Sequence, residues 1–437
     1  MTPNRRLFVL TGLGLGAAAG SARAATKVAG TAGPQANSGT DQTAALQSAI
    51  DEAAARRVAL ELPAGVFQTG SLVLRPGSVL TGVAGLTALQ FTGSGTLLSG
   101  KSAAGVRLSN LVLDGGMRPL EHALVALEAC AGLDICGVSI TNSAGHGLAI
   151  TGSSGRVSGC TIANMADAGI FGLDSTLSIA GNTIKACGNN GILAWRTSAG
   201  EDGSMVVNNT ISNIRADGGG SGQNGNGVNV FRAGNVQVMG NRITDCAYSA
   251  IRGNAASDIS MTGNQCQRIG EVALYAEFGF TGALIANNLV DTAACGISVT
   301  NFNEGGRLAV VQGNLIRNMV RREAEPVDKR GEGIAVEADT LVTGNTIENA
   351  ATCGILLGWG RYMRDVSATG NLIRGCPIGI LVASDPAAGT ALVTGNLISG
   401  AKDGAIRAHE QGRAFGADLA RAAPASGRVT ISGNTAG

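Results

Sequence analysis

A repeat of about 23–26 residues, a glycine-rich and aromatic-poor composition, and an asparagine that recurs once per repeat predict an all-β fold. The fold they specify is a right-handed, single-stranded parallel β-helix. The chain of 437 residues has 67 glycines, 3% aromatic and 14% charged residues, yet 44% hydrophobic ones. Its core must therefore be built from Val, Ile, Leu and Ala between frequent turns, which suits short stacked strands. The pattern apolar-x-apolar-x-Gly-Asn-x-apolar, followed by Gly-Ile-x-Val, has clear copies at 179–184, 238–243, 311–316, 342–347, 366–373 and 393–398. Its asparagines are Asn182, Asn209, Asn241, Asn264, Asn288, Asn314, Asn345, Asn371, Asn396 and Asn434. A unit this short cannot hold a helix as well as strands, so each turn of chain lies over the last, ~4.8 Å away and in parallel register. The asparagines then form an internal amide ladder. Cys187, Cys246 and Cys376 each fall five residues after a ladder Asn. That shared register predicts a small apolar core column and not a redox site.

The N-terminus reads separately. Arg5-Arg6 precede a mildly apolar, Gly-rich stretch at 7–19, and Ala22-Arg23-Ala24 offers a small-x-small cleavage site. This order predicts a twin-arginine signal over 1–24, export by the twin-arginine translocation machinery, and a periplasmic or secreted mature chain without a membrane span. A solenoid must hide its ends. Leu46, Ala49, Ile50 and Ala53 have helical spacing, with Asp41 or Thr40 as N-cap, and predict an amphipathic capping helix over 41–57. Repeats fill 58–437, so 25–437 reads as one domain.

Several chemistries find no support. A net charge of +1 gives no field to steer nucleic acid. Nine cysteines without a CxxC pair are not a disulfide framework, and with three histidines they do not suggest a zinc or iron–sulfur site. The Gly-x-Gly runs are turns of the repeat, not phosphate loops. No metal or cofactor is expected, although the twin-arginine route also carries cofactor binders folded before export.

Residues 39–47, with Leu62-Pro63-Ala64-Gly65-Val66-Phe67, resemble the N-terminal cap and first rung of pectate-lyase-like β-helix proteins. With the paired arginines and the segments 226–232 and 271–278, the whole chain resembles the twin-arginine-translocated β-helix repeat family, which has no assigned activity. Relatives of the fold include polygalacturonases, pectate lyases and alginate epimerases, so the resemblance implies a polysaccharide partner. Gly145-His146-Gly147 looks like the Gly-His-Gly of polygalacturonases. The paired aspartates and Arg-x-Lys that should accompany it are absent, as is the Asp-Pro-His-Asp of the epimerases. His146 therefore reads as a turn residue.

Stacking the Gly-Ile-x-Val strands gives two outward columns. One holds Phe171, Leu193, Asn229, Arg252, Tyr275, Ser298, Ala335, Leu356, Leu381 and Arg407. The other holds Leu173, Trp195, Phe231, Asn254, Glu277, Thr300, Glu337, Gly358, Ala383 and His409. Polar residues concentrate between 229 and 300. Insertions at 216–226 and 321–332 lengthen the same turn, so they are expected to rise as two walls around a polar strip roughly 15 Å long. Arg252 and Tyr275 fall one rung apart in one column. An arginine there would lower the phenol pKa and clamp a substrate carboxylate. This predicts Arg252 as clamp, Tyr275 as base and Glu277 as acid of a lyase or epimerase acting on an acidic polysaccharide. Asn229, Arg232, Asn254, Phe278, Thr300, Glu337 and Trp195 are expected to bind substrate. A hydrolase would instead pair Glu277 with Glu337, roughly 9–10 Å apart. The alternative is a non-catalytic carbohydrate-binding or envelope structural solenoid.

Overall fold

Chain entry is set by Asp41, whose carboxylate accepts the Thr43 amide at 2.6 Å. The computed structural model describes residues 33–220, 222–421 and 427–437; the signal expected over 1–24 lies outside them. The helix runs Thr43–Arg56 and starts two residues later than expected. Gln42 occupies the N-cap without a side-chain cap bond, and Asp41 caps from one position further out. Leu46, Ile50 and Ala53 are buried on its inner face. Gln47 bonds the Val73 backbone in both directions, at 2.8 and 3.0 Å, and Asp51 pairs with Arg75 at 2.8 Å. The helix is thereby fixed on the first rung as the plug that hides the open sheet end. Arg57, in the left-handed conformation at φ 55, ends it.

Three sheets of fifteen strands follow, and each turn of chain contributes one strand to each. The first sheet runs from Ala59–Glu61 to Val429–Ser432 and the second from Gly65–Thr69 to Thr435–Ala436. The third runs from Leu72–Val73 to Ile406–Glu410 and closes with the antiparallel strand Arg413–Phe415. All other strand pairs are parallel. This is the β-helix architecture read from the repeat.

Like stacks on like inside it. Ile162, Ile184, Ile211 and Ile243 pair rung by rung in the second sheet, each buried. At roughly 1.5–3 kcal/mol per buried aliphatic side chain, such columns supply most of the driving force. Met165, Cys187, Ile214, Cys246 and Ile269 form a parallel column. Burial raises the Cys187 and Cys246 thiol pKa values, so both are inert apolar fillers, as their register predicts.

The ten asparagines form one continuous ladder. Each Nδ2 donates to the next Oδ1 at 2.9–3.1 Å. The same oxygen accepts the backbone N–H of the preceding asparagine, as Asn264 does from Asn241 at 3.0 Å. The other Nδ2 hydrogen meets a carbonyl one rung back, at 2.9 Å from Asn264 to Val238. The residue before each ladder Asn turns left-handed, which Gly263 (φ 65) and Asn287 (φ 58) both tolerate.

Asn264→Ala strands the amides of Asn241 and the carbonyl of Val238 in the interior. The expected loss is about 3–5 kcal/mol in urea unfolding. Asn434→Ala, at the half-buried end of the ladder, is expected to cost about 1 kcal/mol. Equal losses at the two positions would mean that the ladder does not hold the register.

Candidate functional site

The outward columns expected from the repeat are those of the third sheet. Phe171, Leu193, Asn229, Arg252, Tyr275, Ser298, Ala335, Leu356, Leu381 and Arg407 are consecutive Cα partners. Leu173, Trp195, Phe231, Asn254 and Glu277 are partners in the second column.

The insertions do not stand beside this strip as walls; they lie across it. Gly222 of the 216–226 insertion sits so close to the Arg252 guanidinium that a Cβ there would lie 1.7 Å from Nη1. The 321–332 insertion reaches back to bond the Gly270 carbonyl through Arg322, and it places Lys329 Nζ 5.0 Å from the Tyr275 ring centre. Asn229, Arg252, Tyr275, Glu277, Ser298, Thr300 and Glu337 are consequently buried, although all point outward from the sheet. Further along, Ala335, Leu356 and Leu381 are closed off by apolar packing against Trp359 and Ala414.

Under this cover Arg252, Tyr275 and Glu277 converge. Arg252 Nε donates to Glu277 Oε1 at 2.6 Å, and its Nη1 donates to Glu271 Oε2 at 3.2 Å. Asn254 Nδ2 meets the same Glu277 oxygen at 3.0 Å. The guanidinium stacks 5.0 Å from the Tyr275 ring centre. The arginine is thus held by two carboxylates, which explains how a charge can be buried there. The expected lowering of the phenol pKa does not occur. Burial, with Glu277 and Glu271 nearby, pushes Tyr275 well above its ordinary value, and this outweighs the opposing pull of Arg252 and of a hydrogen bond with Thr300. Burial likewise raises Glu271.

The other predicted residues lie around this cluster. Glu337 accepts the Phe302 amide at 2.7 Å, and burial raises it to about 7. Phe278 is exposed on the turn beyond Glu277. Arg232 donates to the Thr197 carbonyl at 2.9 Å and covers the Phe231 ring at 4.7 Å. Trp195 packs 5.5 Å from Phe231 and 5.7 Å from Phe171. The ring contacts continue to His146, 5.0 Å from Phe171, whose Nε2 lies 3.4 Å from Asp167. Burial lowers His146 to about 4, so it is a neutral packing residue.

Sequence reasoning missed Glu271, Lys329 and Glu332. Glu271 occupies the column one residue before the outward strand, in line with Tyr248 and Ala294 through backbone bonds of 3.0 Å. Stacking the repeat one position earlier would have found it. Glu332 lies between Cys295 and Cys353 with Oε2 unpartnered, and burial raises it to about 8.

The fold is a parallel β-solenoid, and the outer face of its third sheet carries the covered polar cluster and the ring contacts. The family model for the right handed beta helix region matches residues 95–222, 146–320 and 197–373, and the chain belongs to that family. No curated protein matches it. Among solved structures it is similar to the DFA-IIIase from Arthrobacter chlorophenolicus A6 without its lid, in complex with GF2. The identity is 14% and the TM-score 0.52, over 86% of this chain and 97% of that one. It is also similar to bacteriophage CBA120 tailspike protein 3, at 12% identity and a TM-score of 0.51. That match takes in 92% of this chain and 60% of the tailspike.

Because Glu332 titrates higher in the folded protein than its ordinary 4.5, the unfolded chain releases the proton first. Stability therefore falls as pH rises from about 4.5 to about 8, and this group adds no pH dependence outside that window. Glu332→Gln is expected to remove about 2–4 kcal/mol of the stability lost between those pH values, read from urea unfolding at each. An unchanged pH dependence would show that Glu332 is ionised in the fold.

Proposed function

We propose that this protein is an exported β-helix that holds a polysaccharide along the outer face of its third sheet. One observation carries the reading: a run of ring residues and a polar cluster occupy adjoining rungs of that face. Rings offer packing surface to the C–H faces of sugars, and hydrogen-bonding groups beside them fix orientation. Asn229, Arg232, Asn254, Phe278, Thr300, Glu337 and Trp195 belong to this face.

The convergence of Arg252, Tyr275 and Glu277 favours a second reading, lyase or epimerase action on an acidic polysaccharide. Its electrostatics weigh against it. Arg252 already serves two carboxylates, so a substrate carboxylate would have to displace one of them. A phenol pushed well above its ordinary value is a poor base. Binding without catalysis is the function this geometry supports best. Export rests on Arg5-Arg6 and the apolar stretch behind them, as in the twin-arginine-translocated β-helix repeat family.

Affinity electrophoresis through gels carrying alginate, polygalacturonate or neutral glucans tests the binding. We expect retardation by at least one polymer, unaltered by Tyr275→Phe and without release of unsaturated uronate. Unsaturated product that disappears with Tyr275→Phe would establish the lyase reading instead, and no retardation by any polymer would remove the carbohydrate reading. For export, Arg5→Lys combined with Arg6→Lys is expected to leave folded protein in the cytoplasm. Undiminished export would mean another route.

A further inference from the structure

The outward rings of the third sheet are contiguous. His122, His146, Phe171, Trp195 and Phe231 come from five successive turns, with neighbouring ring centres 4.6, 5.0, 5.7 and 5.5 Å apart. Aromatic residues make up only 3% of the chain, so this run is a concentration that composition does not supply. The contacts are largely edge to face, at interplanar angles of 82° between His122 and His146 and 85° between Phe171 and Trp195. Rings meeting this way leave part of their surfaces outward: His122 is exposed, and Phe171, Trp195 and Phe231 are half-buried. The track is therefore exposed at His122, buried at His146 and partly exposed from Phe171 to Phe231, where Arg232 lies over the last ring, and it runs at rung spacing, ~4.8 Å per step.

It is closed at one end. One rung beyond Phe231 the face passes beneath Gly222 at Arg252, and one rung further it passes beneath Lys329 at Tyr275. Beside Phe231, on the same strand, Asn229 is 4% exposed. Its Nδ2 donates to the Gln223 carbonyl at 3.3 Å, while its Oδ1 has no hydrogen-bond partner. The Trp195 indole N–H is likewise unpartnered. Buried polar atoms are normally satisfied, and these two enclosed groups are the unmet ones beside the last two rings. Arg252, the charge one rung past Phe231, is already paired with Glu277 and Glu271, and Arg232 is engaged by the Thr197 carbonyl and the Phe231 ring, so neither is poised to take an anion.

We infer that the track recognises the end of a neutral, unbranched glycan. About four sugar units lie on the rings from His122 to Phe231, and the terminal unit stops against the 216–226 insertion beside Asn229. This rests on the third sheet being the carbohydrate face, and it adds the substrate class and the end-on mode.

Titration calorimetry with cello-, malto- and laminari-oligosaccharides, from disaccharide to octasaccharide and with the parent polymers, tests it. For the series that binds, affinity is expected to rise to the tetrasaccharide or pentasaccharide and then level. Polymer binding should saturate at one protein per chain end. Trp195→Ala and Phe171→Ala should each weaken binding about tenfold, while Trp195→Phe stays within about twofold, each measured well below the variant's own melting temperature. Affinity that keeps climbing to the octasaccharide, or several proteins on each long chain, would overturn the closed end. Binding insensitive to both ring truncations but lost in Asn254→Ala would overturn the track and leave the third sheet as the binding face. Binding of only the acidic polymers would overturn the neutral class alone. No binding by any saccharide would overturn both this inference and the carbohydrate reading beneath it.

Discussion

From Asn182 to Asn434 the stack depends on a buried amide oxygen that accepts two hydrogen bonds. Each ladder asparagine takes the backbone N–H and the side-chain N–H of the asparagine before it, and then repeats the arrangement with the one after. Parallel strands of similar aliphatic residues could slip in register with little change in buried area. An amide pair cannot, because a slip leaves buried polar groups unsatisfied on both rungs. The ladder therefore converts an approximate sequence repeat into a fixed spatial one. Length variation is confined to the turns, and every outward residue acquires defined neighbours on the rungs beside it.

The second constraint is cover. Outward residues of a sheet are ordinarily solvated, and their titration follows from neighbouring charges. Here two insertions at the same corner of separate rungs lie across the face, so desolvation becomes the leading influence for Tyr275, Glu271, Glu332 and Glu337. The cluster answers with internal pairing. Arg252 is neutralised by Glu277 and Glu271, and Asn254 fills a remaining acceptor position. Such a cluster is satisfied without a ligand, whereas the ring track on the neighbouring rungs keeps open surface and unpartnered groups. The contrast favours binding at the rings over chemistry at the arginine.

The fold was legible because it is periodic. The asparagine positions, the cysteine column and the outward columns of the third sheet follow from counting residues; the strand register agrees with the count at every rung of the first column and from Leu173 to Glu277 in the second. The capping helix was legible in type but displaced by two residues at its start, because Asp41 caps from outside the helix. What periodicity could not convey was the path of the two insertions. A turn of irregular sequence has no register, and whether it stands up or folds over depends on long-range bonds such as that from Arg322 to the Gly270 carbonyl. The direction of the Tyr275 shift hung on that path, since the same arginine beside an open phenol would have lowered its pKa. Glu271 escaped because it lies outside the strand that was stacked.

A glycan bound as proposed occupies the rings of the third sheet, and Trp195 gives a direct probe of it. The chain has two tryptophans, so Trp359→Phe leaves Trp195 as the sole indole emitter. With a saccharide that binds, its emission should shift and its accessibility to iodide should fall, at the same concentrations at which calorimetry records binding. Full binding with Trp195 emission and quenching unchanged would contradict the account.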